Sequence, residues 1–211
     1  MLVRHAQASF GAENYDALSM HGHAQSRLLG SYFKRTGWMP DRVITGNLQR
    51  QRETYAGLSL APNVQAETHA GFDEYDFSDL LAVRFAGEVP PDVKADRKTH
   101  FRTLRETVLA WQQGTLKGVA ETYDGFCART AAALDFATDT SAKRVLVISS
   151  GGVIGQLIAA NLEAPPRMMM ELNLLAAHPL CIGLPMLHQV VALCFAILQV
   201  ERSQGFHLQN A

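Results

Sequence analysis

The chain is poor in cysteine, in net charge and in long apolar runs, and each shortage excludes something. Its three cysteines, Cys127, Cys181 and Cys194, are odd in number, widely spaced and set in apolar stretches. Disulfide frameworks and zinc sites need paired spacing, so these thiols read as reduced core groups of a cytoplasmic protein. Nineteen Lys and Arg stand against 20 Asp and Glu, a net charge of -1. Nucleic acids and anionic membrane surfaces select a clear positive excess, so neither is an expected partner. Any anion site must therefore be a local cluster. The most membrane-like run, Val190 to Leu198, falls far short of the ~20 residues a spanning helix needs, and His188, Gln189 and Gln199 bound it. It reads as a buried strand. Arg4, His5 and Gln7 interrupt the apolar start, so no signal peptide is expected there.

What is present is apolar surface. At 47% hydrophobic and 18% charged, the 211 residues can bury a large core, which excludes a disordered chain. No internal repeat or low-complexity tract divides it. A single domain over residues 1–211 is expected.

Three stretches share one grammar: a short aliphatic run, a polar or glycine-bearing turn, then a helical pattern. Leu2-Val3 leads through RHAQASFGAENYDALS to a helix from about Met20 to Thr36, with Ser19 as N-cap and Gly37 as its end. Val43-Ile44 leads through TGN to LQRQRETYAGL, and Val145 to Ile148 leads through SSGG to VIGQLIAANL. Apolar strands alternating with helices predict an α/β protein, its parallel sheet covered on both faces. The middle departs from this grammar. Residues 78 to 118 carry Pro90-Pro91, charges and a helix from Lys98 to Gln113, a helical excursion of the kind that covers a site. A further helix is expected from Glu121 to Ala137. Leu180 to Ile182 and Val190 to Val200 are expected to complete the sheet, with Val190 to Leu198 either an interior strand or a dimer edge.

Ligands of open parallel sheets bind where strands end and helices begin. The three turns there offer Arg4, His5 and Gln7; then Thr45, Asn47, Arg50 and Arg52; then Ser149, Ser150, Gly151 and Gly152. Two guanidinium forks with N–H groups at a helix start make an anion pocket suited to phosphate oxygens. A histidine among arginines stays neutral near pH 7, and a neutral imidazole is a competent nucleophile towards phosphorus. Everything requires His5 and Arg50, far apart in the chain, to converge at one rim of the sheet.

Order and spacing together resemble the histidine phosphatase superfamily, also called phosphoglycerate mutase-like. LVRHAQASF is similar to its nucleophile motif LVRHG, with Ala6 for the glycine. LSMHGHAQSRLLGSYF resembles LSxxGxxQAxxLG, VITGNLQRQRET resembles SxLxRAxxTA, and FDEYDFSD resembles LxExDFG. ETYDGFCARTAAAL matches ExxxxFxxR, and VLVISSGGVIGQLI occupies the place of VxVVSHGGxIR. The resemblance spans about residues 2 to 160. It implies a three-layer α/β/α sandwich with a mostly parallel sheet. It also implies a phosphatase in which His5 becomes a phosphohistidine, Arg4 and Arg50 clamp the phosphoryl oxygens, and Glu74 is the proton donor. Gln7, Ser150 and Gly151 would complete the phosphate site. No metal or other cofactor is implied, and the substrate would be a small-molecule or protein phosphate monoester.

The departures are informative. Ser150 stands where the family has a second histidine, and Gly46-Asn47 replaces its usual Ser-Pro. Ser150 therefore favours a rival reading, a weak or inactive member that binds phosphorylated ligands. A mutase would need a second phosphate site, for which the middle offers only Lys94, Arg97, Lys98 and Arg102. SGGVIG lacks dinucleotide-binding spacing, and Ile148 stands where a serine hydrolase elbow needs glycine. His21, His23, His69, His100, His178, His188 and His207 could replace the missing imidazole, His178 first among them. Spacing alone does not choose Glu74 over Asp73 and Asp76. Strict alternation would put Glu74 and Asp76 on one side of an extended segment.

Overall fold

The computed structural model describes residues 1–9, 11–175, 182–185 and 190–193. In it a six-stranded sheet runs in the order β3-β2-β4-β1-β6-β5, with β1 at Leu2–Arg4, β2 at Arg42–Thr45, β3 at Ala66–Thr68, β4 at Val145–Ser149, β5 at Ile182–Pro185 and β6 at Val190–Leu193. All neighbours pair in parallel except β5 with β6. The expected strands near the end of the chain do join the sheet, though residues 180–181 and 194–200 lie outside the described ones. So do Cys181, Cys194, His178, His188 and His207.

The pleat sorts the core into two halves. Val3, Val43, Leu146 and Ile148 point to one face, where they meet Leu29 and Phe33 of helix α1 (Met20–Thr36) and Leu58 beyond helix α2 (Gln49–Gly57). Leu2, Ile44 and Val147 point to the other. There they meet Trp111 of α5 (Arg97–Gln112), Phe126 and Ala133 of α6 (Tyr123–Thr138), and Val153, Ile154, Leu157 and Ile158 of α7 (Gly151–Asn161). Strand side chains alternate faces, so each short strand feeds both layers. This is the three-layer α/β sandwich.

Local chemistry sets the helix ends. The Ser19 side chain accepts from Gly22 N–H, and Gly37 closes α1 in the left-handed conformation at φ 68°. Thr122 caps α6 and Asp96 caps α5 in the same way. The excursion holds more helix than the sequence suggested. Helix α3 (Phe77–Arg84) starts on Asp76, whose carboxylate accepts from Ser78 and Asp79 N–H, and α4 (Pro91–Ala95) opens on Pro91. Helix α8 (Met168–Leu175) packs on α7 through Met169 and Met170. Strand β3 was also unforeseen, because its AET run is largely exposed and carries no apolar alternation.

Candidate active site

At the carboxyl edge of the sheet, register brings the first and third turns side by side. Arg4 pairs with Ser149 across β1 and β4, and His5 N–H donates to Ser149 O at 2.8 Å. The second turn is tied to them by Thr54 of α2. Its hydroxyl accepts from Ala6 N–H at 2.9 Å and donates to Arg50 O at 2.7 Å. The backbone after His5 is thereby pinned to the helix that carries Arg50.

The imidazole of His5 lies between two fixed partners. Nδ1 is 2.8 Å from Ala6 O. A carbonyl only accepts, so Nδ1 carries the proton and Nε2 keeps its lone pair. Arg50 Nε donates to that Nε2 at 3.1 Å. Burial, then the charges of Arg4 and Arg50, lower the His5 pKa from 6.5 to about 3. The ring is neutral throughout the physiological range.

Arg50 is itself buried and is held by Asp16, with Nη1 to Oδ1 at 2.6 Å. The other Asp16 oxygen accepts from Gln49 N–H at 2.7 Å, which secures the start of α2. Asp16 gets there because the loop after β1 folds back on itself, with Ser9 N–H bonded to Ala17 O and Ser19 N–H to Gln7 O. Sequence reasoning did not single out Asp16. Nothing in that polar loop separates it from Glu13, and only the fold-back selects one of them. Arg4 donates to Asn173 O at 3.4 Å, and its guanidinium lies against Gly151, where a side chain would collide with Asn173.

Glu74 reaches the third turn from outside it. Gly152 N–H donates to Oε2 at 2.9 Å and Tyr75 N–H to Oε1 at 3.3 Å. A Cβ on Gly152 would strike that carboxylate and the Tyr75 ring, so glycine is required for the approach. Burial raises the Glu74 pKa above its ordinary value, against the opposing pull of Gly152 N–H, Arg4 and Arg50. Its rivals are occupied elsewhere. Asp73 accepts from Asn47 through both oxygens, and Asp76 is the cap of α3. Alternation had grouped Asp76 with Glu74, and the onset of α3 separates them.

Two expected phosphate ligands are placed differently from the rest. Gln7 is exposed, and its Oε1 accepts from Ser19 Oγ at 3.1 Å. Ser150 is fully buried and takes a hydrogen bond from Gln51 Nε2 at 2.9 Å. No described histidine replaces the imidazole missing at 150. His69 caps a 3₁₀ turn and stacks on Phe136, His100 bonds Val93 O, and His21 and His23 are exposed on α1. Among the described residues no group of three His, Cys, Asp or Glu side chains gathers as metal ligands do, and no helix is long and apolar enough to cross a membrane. The arrangement brings together a neutral imidazole, two guanidinium groups and a carboxyl whose pKa burial raises.

Comparison with known proteins identifies a family and a shared fold. A family model described as the histidine phosphatase superfamily (branch 1) matches residues 1–183. Among solved structures, the α-ribazole phosphatase of Shigella flexneri is similar at TM-score 0.55 and 16% identity, over 81% of this chain and 82% of that one. A phosphoserine phosphatase of Entamoeba histolytica, in complex with 3-phosphoglyceric acid, matches at 0.55 and 16% over the same shares, 81% and 82%. A mycobacterial glucosyl-3-phosphoglycerate phosphatase matches at 0.52 and 17%, again over 81% and 82%. Comparison with curated protein sequences finds no match.

Proposed function

The chain belongs to the histidine phosphatase superfamily, and from that premise we propose that it hydrolyses phosphate monoesters through a phosphohistidine on His5. The observation that carries the reading is the state of the imidazole: Nδ1–H is committed to Ala6 O, and the Nε2 lone pair faces Arg50 Nε.

An incoming phosphoryl group takes over the Arg50 N–H and frees Nε2 to attack. The N–P bond forms as the ester P–O bond breaks, with Arg4 and Arg50 holding the non-bridging oxygens. The Nδ1–H bond to Ala6 O keeps the tautomer and spreads the charge that develops on the ring. Glu74, protonated, gives its proton to the leaving alkoxide. As a carboxylate it then takes a proton from the water that attacks phosphorus and releases orthophosphate. The scheme uses no metal. The named neighbours act on small phosphorylated molecules, which makes a compact phosphate monoester the first substrate class to try.

The test is an alkaline quench of enzyme mixed with an aryl phosphate, followed by mass spectrometry of the His5 peptide. A phosphorylated peptide that disappears in His5→Ala is the expected result. Equal phosphate release by wild type and His5→Ala overturns the proposal. Ser150, in place of a second imidazole, favours a rival reading as a phosphate-binding module, which predicts binding of inorganic phosphate without any phosphopeptide.

A further inference from the structure

We infer that Gln51 is a positioning residue for the phosphoryl site, and that Gly46, Gln51 and Ser150 act as one unit in place of a second histidine. The inference rests on the proposed phosphatase reading and adds a residue to it.

Gln51 is fully buried on α2, one residue after Arg50. Its Nε2 lies 3.0 Å from Phe72 O and 2.9 Å from Ser150 Oγ. The Phe72 carbonyl can only accept, which settles the orientation of the amide. Nε2 therefore donates to Ser150 as well, and its two protons are both spent. Ser150 Oγ is the acceptor, and its own proton makes no hydrogen bond among the described residues. A buried hydroxyl in that condition presents its O–H to whatever oxyanion arrives. Ser150 follows Ser149 as His5 follows Arg4, and Arg4 and Ser149 are register partners, so hydroxyl and imidazole leave adjacent strands at the same level.

The other end of the amide accounts for a second departure from the family pattern. Gln51 Oε1 has no hydrogen-bond partner among the described residues and lies against Gly46, where any Cβ would overlap it. Gly46 stands where the pattern SxLxRAxxTA has serine, and Gln51 where it has alanine. In the rotamer of Ser150, an imidazole at that position would run into the Gln51 amide. Three substitutions that look independent in sequence are thus one contact: glycine makes room for glutamine, and glutamine orients serine.

Gln51→Met keeps the volume and removes the donor. Phe72 O retains the Ser149 hydroxyl at 2.7 Å, so the variant has a route to the native fold. Expected for Gln51→Met and Ser150→Ala alike is a loss of about tenfold or more in orthovanadate affinity and in kcat on an aryl phosphate, with KM little changed. The double variant should lose no more than either single one, because both remove the same oriented donor. Gln51→Glu should show vanadate affinity that falls further as pH rises, since its carboxylate, once ionised, accepts the Ser150 O–H hydrogen bond that would otherwise go to the oxyanion; a merely structural role would not titrate. Wild-type vanadate affinity and kcat in Gln51→Met, or losses that multiply in the double variant, overturn the inference while leaving the phosphatase intact. A wild type that binds no vanadate and traps no phosphohistidine overturns both.

Discussion

The two ends of this sheet carry similar residues and treat them in opposite ways. At the amino edge, Arg42 forks onto Glu67 at 2.9 and 2.8 Å, and Arg144 meets Asp41 at 3.2 Å. An open groove of about 730 Å³ lies there, lined by Asp41, Arg42 and Glu67 with Asp139 and Lys143. Each carboxylate is pulled below its usual pKa by its arginine. At the carboxyl edge, burial pushes Glu74 up and His5 down, and among the described residues Arg4 hydrogen-bonds only a backbone carbonyl, at 3.4 Å. Charges that satisfy one another in water leave nothing over for a ligand. Buried donors with incomplete compensation do, and the size of a groove does not substitute for them.

The largest effect expected from this contrast is in turnover. His5→Ala and Arg50→Ala should each lower kcat/KM by about 10³-fold or more, since on the proposed mechanism they remove the nucleophile and a preorganised donor. Arg42→Ala should change it by less than about twofold, as an exposed ion pair has no part in the chemistry. Comparable losses at both edges would break the comparison.

Next comes Glu74→Gln, for which steady-state kinetics should show a loss of about 10²–10⁴-fold, as expected of the general acid proposed for it. Activity of the wild type should decline as pH rises through the elevated Glu74 pKa, because the proton donor is then spent. The variant should lack that limb and should lose less on esters with a good leaving group.

A smaller effect concerns stability. The folded His5 resists protonation down to about pH 3, whereas the unfolded imidazole titrates near the ordinary 6.5. Below that value the unfolded chain binds a proton the folded chain does not, so the contribution of His5 to stability is lost as pH falls. The slope approaches about 1.4 kcal/mol per pH unit. Urea melts between pH 7 and pH 4 should show a shallower decline in His5→Ala. A slope unchanged by that substitution would mean that the ring is not held neutral.

The smallest effect belongs to the amino edge. Glu67→Gln should cost no more than about 1 kcal/mol in the same melts, and less at high salt.

Much of the frame is legible in the residues. Helix α1 runs from the residue after Ser19 to the residue before Gly37 because a hydroxyl and a left-handed glycine terminate it locally. The three strand-turn-helix units can be read because aliphatic runs and helical spacing are local patterns. Strand β3 could not be read, since an exposed edge strand needs no apolar alternation. Helix α3 hid in a segment whose charges and aromatics fit several conformations. In the site, Arg4, His5, Arg50 and Glu74 stand out by residue type at the turns and by resemblance. Asp16 and Gln51 do not, because each acts only on partners from another turn.

The order of residues by itself determined where strands stop and helices start, and which chemically capable side chains sit at those junctions, because caps and hydrophobic alternation act over a few residues. Tertiary structure alone decided that His5 is a neutral Nδ1–H tautomer, that Asp16 rather than Glu13 holds Arg50, and that the buried Gln51 amide donates to Ser150. Those outcomes depend on desolvation and on hydrogen bonds between groups brought together from distant turns, and no short stretch of chain contains both partners.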